Sequence, residues 1–185
     1  MIKFEKVSRF KDVDFPLPER KTSNSAGYDL AVAEDKIIEP ISKLINLIKE
    51  ECIDNDNIPW TLAEIKDVAK AYGARPTLVS TGVKCYLEPN TYLELSVRSS
   101  TPLNYLLVLA NGVGIIDADY ADNPDNEGEI YLQLINIGPA PIYLKKGDII
   151  GQGIIKHYLT VDEDKASGER KGGFGSTTKW VNYYL

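Results

Sequence analysis

The sequence predicts an all-β protein of short strands, with one α-helical hairpin inserted between two of them. Three observations carry that reading. Several segments alternate apolar and polar residues, which puts one row of side chains in a core and the other in water. Turn residues separate these segments at close intervals: Glu88-Pro89-Asn90, Asn111-Gly112, Gly138-Pro139 and Lys146-Gly147-Asp148. Only across residues 41–72 does the period lengthen to that of a helix. Many short strands joined by tight turns make a sandwich, a barrel or a jelly roll.

Strands are expected at 2–7 and 36–39. Ile41, Leu44, Ile45 and Ile48 then share one helical face. A polar link over 54–59 leads to Thr61-Leu62-Ala63-Glu64, a capping box in which hydroxyl and carboxylate satisfy free N–H groups at a helix start. Leu62, Ile65, Ala69 and Tyr72 continue as a stripe, and Gly73 is placed to end it. The inserted hairpin is therefore 41–73. A strand run is expected over 76–87. In 91–98, Leu93, Leu95 and Val97 point one way and Tyr92, Glu94, Ser96 and Arg98 the other. In 129–136, Ile130, Leu132 and Leu134 share a face. Further strands are expected at 142–145 and 149–159. Residues 161–185 lack periodicity and contain Gly172-Gly173-Phe174-Gly175-Ser176-Thr177-Thr178, which cannot build a core. Such a stretch reads as a disordered tail, or as an arm that orders over a ligand.

A chain of 185 residues suffices for a single domain, 1–185, with its own core. A net charge of −6 and a pI near 4.9 argue against non-specific nucleic-acid binding. They leave room for an anionic small substrate, which local cations, a metal ion and backbone N–H groups can hold. Cys52 and Cys85 form no CxxC pair, so neither zinc nor redox chemistry is suggested, and reduced thiols of a cytoplasmic protein are expected. The first residues show no apolar core of a signal peptide. The longest apolar run, 103–116, is interrupted by Asn104 and Asn111 and is too short to span a bilayer, so no membrane association is expected.

Four places join polar residues to tight turns: Ala26-Gly27-Tyr28-Asp29-Leu30, Val97-Arg98-Ser99-Ser100, the run from Asn111-Gly112-Val113-Gly114 to Asp117-Ala118-Asp119-Tyr120, and Gly147-Asp148-Ile149-Ile150-Gly151-Gln152. Alone, each has an ordinary explanation: Asn-Gly makes a hairpin, Arg98 an ion pair, Asp29 a turn cap. In this order, and followed by Arg170-Lys171-Gly172-Gly173-Phe174-Gly175-Ser176, they resemble the five motifs of the trimeric dUTPase family.

That resemblance implies a jelly-roll β-barrel, a homotrimer with three shared active sites, and hydrolysis of dUTP to dUMP and pyrophosphate with Mg²⁺. Asp117 matches the carboxylate that activates the attacking water. Asn111 and the backbone of Gly112, Gly114 and Ile115 match the hairpin that reads uracil, and Tyr120 matches the ring packed on deoxyribose. Arg98, Ser99 and Ser100 match the phosphate-binding segment, and Gln152 the glutamine near phosphate and water. Phe174 matches the aromatic that stacks on uracil, with Gly175 and Ser176 at the phosphates. Mg²⁺ would bind chiefly through triphosphate oxygens, with Asp29 either near it or structural.

The chain departs from the family pattern in three places. Ser100 stands where many members have Gly. Residues 121–127 intervene before Gly128-Glu129 and read as a longer surface loop. In the arm, Glu169 holds the usual arginine position, so Arg170, or Lys171, is left for the γ-phosphate. His157, the only histidine, reads as structural. The nearest rival is a dCTP deaminase on the same fold. Against it, Gln133 replaces that enzyme's catalytic Glu and Leu103 its second Arg, and a neutral Gln cannot carry the proton. A non-catalytic regulatory protein is the other alternative, with 41–73 as a possible surface for a protein partner.

Overall fold

Alternation in the sequence becomes short antiparallel strands in the computed structural model, which describes residues 1–53, 61–168, 170, 172 and 173. In chain order the elements are β1 (Lys3–Lys6), β2 (Tyr28–Ala31), β3 (Lys36–Ile38), α1 (Ser42–Ile53), α2 (Leu62–Ala71), β4 (Thr77–Ser80), β5 (Val83–Tyr86), β6 (Thr91–Val97), α3 (Ser100–Tyr105), β7 (Leu107–Leu109), β8 (Gly114–Asp117), β9 (Tyr131–Asn136), β10 (Ile142–Leu144) and β11 (Ile149–His157). A four-stranded sheet runs β2-β11-β6-β8 and a three-stranded sheet runs β4-β9-β7, with pairs β1-β5 and β10-β3 beside them. The fold is all-β, as the sequence predicts. No helix among the described residues is long and apolar enough to cross a membrane.

The inward rows of the two larger sheets meet in one core. Leu93 and Leu95 of β6, Ile150 of β11, Leu30 of β2 and Leu132 and Leu134 of β9 are all 2% exposed or less. A side chain on Gly151 of β11 would reach within 2.5 Å of Leu132, so the sheets face each other at that point. Each fully buried Leu of this kind contributes roughly 1.5–3 kcal/mol to stability.

Four local features differ from expectation. The run at 76–87 is two strands, because Gly82 takes φ +66° and redirects the chain: β4 pairs with β9, and β5 with β1. Asn111-Gly112 closes no hairpin, since β7 pairs with β9 while β8 pairs with β6; the turn carries the chain between sheets. The apolar run at 103 begins inside α3, a helix too short to display a period, and Leu103 is 82% exposed. Finally, Tyr28–Ala31 is a strand, hidden in the sequence by Gly27 and Asp29.

Between β3 and β4 the chain forms α1 and α2. The capping box is complete: the Thr61 N–H donates to Glu64 Oε2 at 2.7 Å, and the Glu64 N–H donates to Thr61 Oγ1 at 3.3 Å. No described residue of 41–73 belongs to the buried barrel cluster. Gly73 returns beside Glu39, where an added Cβ would lie 3.5 Å from Glu39 Cγ, so the two ends of the insertion adjoin. The link expected at 54–59 lies outside the described residues.

Candidate active site

Sheet register sets three polar residues in a row. Across the four-stranded sheet, Asp29 of β2 faces Gln152 of β11, which faces Ser96 of β6. The Gln152 amide donates to Ser96 Oγ at 3.2 Å. Gly27 leaves the space for that amide: a Cβ there would lie 2.4 Å from Gln152 Oε1. Beyond the end of β6, Arg98 is tied back by its N–H to Ile150 O at 3.2 Å, and its Nε lies 3.3 Å from Asp29 Oδ1. Arg98, Ser99 and Gln152 thus line one open pocket of about 350 Å³, together with Lys21, which reading the motifs alone missed.

A second pocket, of about 180 Å³, lies along β8. Pairing of β6 with β8 sets Leu95 against Gly114 and Tyr92 against Asp117. Asn111, Gly114, Ile115, Asp117 and Tyr120 all line this pocket, with Leu95 and Gln133. The Asp117 side chain is half-exposed.

Tyr120 is 6% exposed, and its position is fixed from several sides. Its N–H donates to Asp117 O at 3.1 Å, its phenol donates to Glu129 O at 3.2 Å, and Asn126 Nδ2 donates to the phenol oxygen at 2.8 Å. Burial pushes the Tyr120 phenol above its ordinary pKa, so it stays a neutral donor. Asn126 belongs to 121–127, so this loop does more than cover surface: Asn123 is 5% exposed and donates to Tyr120 O at 2.9 Å. Gly128 ends the loop with φ +78°, where a Cβ would lie 2.5 Å from Tyr120 O. Behind it, buried Glu129 accepts from Arg9 Nη2 at 2.7 Å, Arg9 Nε at 3.0 Å and the Tyr131 phenol at 2.7 Å, and also from Ser80. Burial, then the bond to Glu129, pushes Tyr131 up to about 12.

Arg170 also lines the second pocket, with Gly173. Its Nε donates to Asp119 Oδ1 at 2.7 Å, and its Nη2 donates to Asp117 Oδ2. Asp119, like Asn126, was missed as a site residue: it stood in the motif without a role of its own. The predicted residues therefore divide into Asn111, Gly114, Ile115, Asp117, Tyr120 and Arg170 in one pocket and Arg98, Ser99, Gln152 and Asp29 in another, with no residue common to both. Ser100 starts α3 and lines neither. Lys171, Phe174, Gly175 and Ser176 lie outside the described residues.

Among the described residues no group of three or more His, Cys, Asp or Glu is arranged to hold a metal ion. Asp29 is the sole carboxylate of its pocket; one oxygen faces Arg98, and the other is buried without a hydrogen-bond partner. A divalent ion bound mainly by phosphate oxygens fits such a site, and an all-protein cage does not.

The dUTPase family model matches residues 63–178, which takes in every element from α2 to the glycine-rich arm. The chain belongs to the dUTPase family. It is 35% identical to the deoxyuridine 5′-triphosphate nucleotidohydrolase of Lactococcus lactis subsp. lactis over 176 residues, which cover 94% of this chain and 95% of the relative. A crystal structure of the dUTPase from Streptococcus mutans superposes with a TM-score of 0.64 at 33% identity, covering 86% of this chain and 98% of that one. The dUTPase from phage phi11 of S. aureus shares the fold, with a TM-score of 0.59 at 16% identity over 91% of this chain and 97% of that one.

Proposed function

We propose that this chain hydrolyses dUTP to dUMP and pyrophosphate, with Asp117 as the base. The observation that carries this reading is the shared pocket of Asp117, Asn111, Gly114 and Tyr120: a half-exposed carboxylate beside a slot lined by Asn111, Gly114 and one fixed aromatic ring. Uracil enters that slot. Donors and acceptors at Asn111, Gly114 and Ile115 meet its edge, and a cytosine there would leave buried polar groups unpaired. The Tyr120 ring lies under the deoxyribose. Its phenol, held at both sides by Glu129 O and Asn126, cannot swing away to admit a 2′-hydroxyl.

Asp117 holds a water in line with the α-phosphorus. The water oxygen bonds to that phosphorus, its proton passes to Asp117, and the bond from the α-phosphorus to the bridging oxygen breaks, releasing pyrophosphate. Arg98, Ser99 and Gln152 bind the phosphates. Because they line a different pocket from Asp117, a complete site takes its two halves from adjacent copies in a homotrimer. Phe174, Gly175 and Ser176 close it, and Arg170 meets the γ-phosphate. If bound, Mg²⁺ would be held chiefly by the triphosphate oxygens and would supply charge neutralisation. Asp29 serves to hold Arg98. The free, buried Cys85 suits the reducing cytoplasm.

Purified protein with dUTP and Mg²⁺ should release pyrophosphate, and dCTP should yield no ammonia. Asp117→Asn should lower turnover by about 10²–10⁴-fold, the usual contribution of a positioned base, while nucleotide affinity stays near wild type. Wild-type-like turnover in that variant would show the base to be elsewhere. Absence of pyrophosphate release from the wild-type protein would instead favour a regulatory role.

A further inference from the structure

The pocket assigned to the phosphates gains little net charge from its motif residues. Arg98 is their one cation, and its Nε lies 3.3 Å from Asp29 Oδ1, so a carboxylate already offsets it. Ser99 and Gln152 are neutral. A triphosphate carries several negative charges and calls for a second cation. Among the described residues, Lys21 is the only other cation on the wall of that pocket.

The chain around Lys21 holds it there. The Asp29 N–H donates to Glu19 O at 2.9 Å, a single bridge that fixes the start of the loop to the edge strand β2. Arg20 then turns into the loop, and its Nη1 donates to Ser23 O at 3.0 Å and to Ser25 O at 2.9 Å. Ser25 closes the turn: its N–H donates to Thr22 O at 3.3 Å and its hydroxyl to the same oxygen at 3.0 Å. Arg20 and Lys21 read as an equivalent basic pair in the sequence, but the fold separates them. Arg20 is committed to carbonyls of its own loop, whereas Lys21 lines the pocket with Ser25. Lys21 Nζ donates to the Glu19 carboxylate, and both side chains are more than half exposed, so that pair contributes little. An ammonium has three donors, and contact with Glu19 leaves two for phosphate oxygens.

We propose that Lys21, outside the five motifs, binds the pyrophosphate half of dUTP, and that Arg20 is the positioning residue that presents it. This deepens the proposed function and rests on it. The α-phosphorus must lie beside Asp117, which lines the other pocket, so the wall that carries Lys21 receives the phosphates beyond it. Lys21 is a point charge on a flexible stem and follows those phosphates from substrate to leaving group, while Asp29 holds Arg98 in place. A contact of equal strength before and during the reaction lowers KM and strengthens product inhibition without raising kcat.

The test compares wild type with Lys21→Met, Lys21→Arg and Arg20→Ala on dUTP, with inorganic pyrophosphate and dUMP as inhibitors. Neither Arg20 nor Lys21 belongs to the core cluster, so the variants keep the fold. Lys21→Met should raise KM and weaken pyrophosphate inhibition by about tenfold each, the scale of one charge-assisted hydrogen bond. In the same variant kcat should stay within about twofold of wild type, and inhibition by dUMP should not change. Lys21→Arg should restore most of the loss, and Arg20→Ala, which keeps the Lys21 charge but unties its loop, should reproduce part of it. Unchanged KM and pyrophosphate inhibition in Lys21→Met overturns the proposal and leaves the dUTPase assignment intact. Equal weakening of dUMP and pyrophosphate also overturns it, because the lysine would then act on the fold of the loop. If the wild type cleaves no dUTP, calorimetry with inorganic pyrophosphate separates the two claims. Binding that is lost in Lys21→Met keeps Lys21 as an anion ligand and strikes the substrate assignment, and no binding to wild type strikes both.

Discussion

Gly27 and Gly128 each make room for one functional side chain, and they differ in what a methyl group would meet. At Gly27 the obstacle is the end of the flexible Gln152 side chain, 2.4 Å away. Gly27→Ala should therefore leave the thermal midpoint nearly unchanged and turn Gln152 from Ser96, with pyrophosphate release falling about 10²-fold, the scale set by a 1 Å misplacement. At Gly128 the obstacle is main chain, Tyr120 O at 2.5 Å and Ala121 Cα at 2.6 Å, and φ is +78°. Gly128→Ala should cost about 1–3 kcal/mol in denaturant unfolding and weaken dUTP binding through Tyr120. Cys85 gives a third test. Burial pushes its thiol up to about 12, so little thiolate exists at pH 8, and iodoacetamide should modify Cys85 only when the protein is unfolded. The sequence made Asp117, Asn111 and Tyr120 legible because their chemistry lies within one short motif. It hid Asn126 and Glu129, whose work depends on a loop folding back, and it left Asp29 ambiguous until the contact with Arg98 was seen.

At the scale of elements, the strands with clean alternation were legible within a residue or two, β6 and β9 above all, because each has one buried face. The break at Gly82 and the helix α3 were not: one follows from which partner strand each half finds, the other is too short for any period. The inserted helices were legible from their stripes and the Thr61–Glu64 box. Their ends adjoin at Glu39 and Gly73, and the described part of the insertion adds nothing to the barrel cluster. Replacing 42–72 by a short Gly-Ser bridge should therefore preserve the β-sheet circular dichroism spectrum and dUTP turnover within about twofold, since long surface insertions have little thermodynamic effect. Loss of folding in that deletion would show that the helices brace the sheets.

For the whole molecule, the decisive feature is that the residues proposed to bind uridine and those proposed to bind phosphate line separate pockets of one chain. Light scattering should give a mass close to three times the 20.6 kDa chain. Mixing an Asp117→Asn chain with an Arg98→Ala chain should restore part of the activity that each lacks alone, because some interfaces then combine two intact halves. Activity that rises strictly with protein concentration, and no rescue on mixing, would place a full site within one chain. Motif order announced this division only through family resemblance; nothing in composition or periodicity separates the two groups of residues.

The four-stranded order β2-β11-β6-β8 has an evolutionary corollary. Gly114, Ile115 and the proposed base Asp117 on β8, and the proposed phosphate ligand Gln152 on β11, all belong to strands of one sheet, so a lesion that unpairs those strands would disturb binding and catalysis together. Lineages carrying random lesions in these strands should lose the enzyme outright. Sloppy forms that begin to consume thymidine or cytidine nucleotides should not arise by that route.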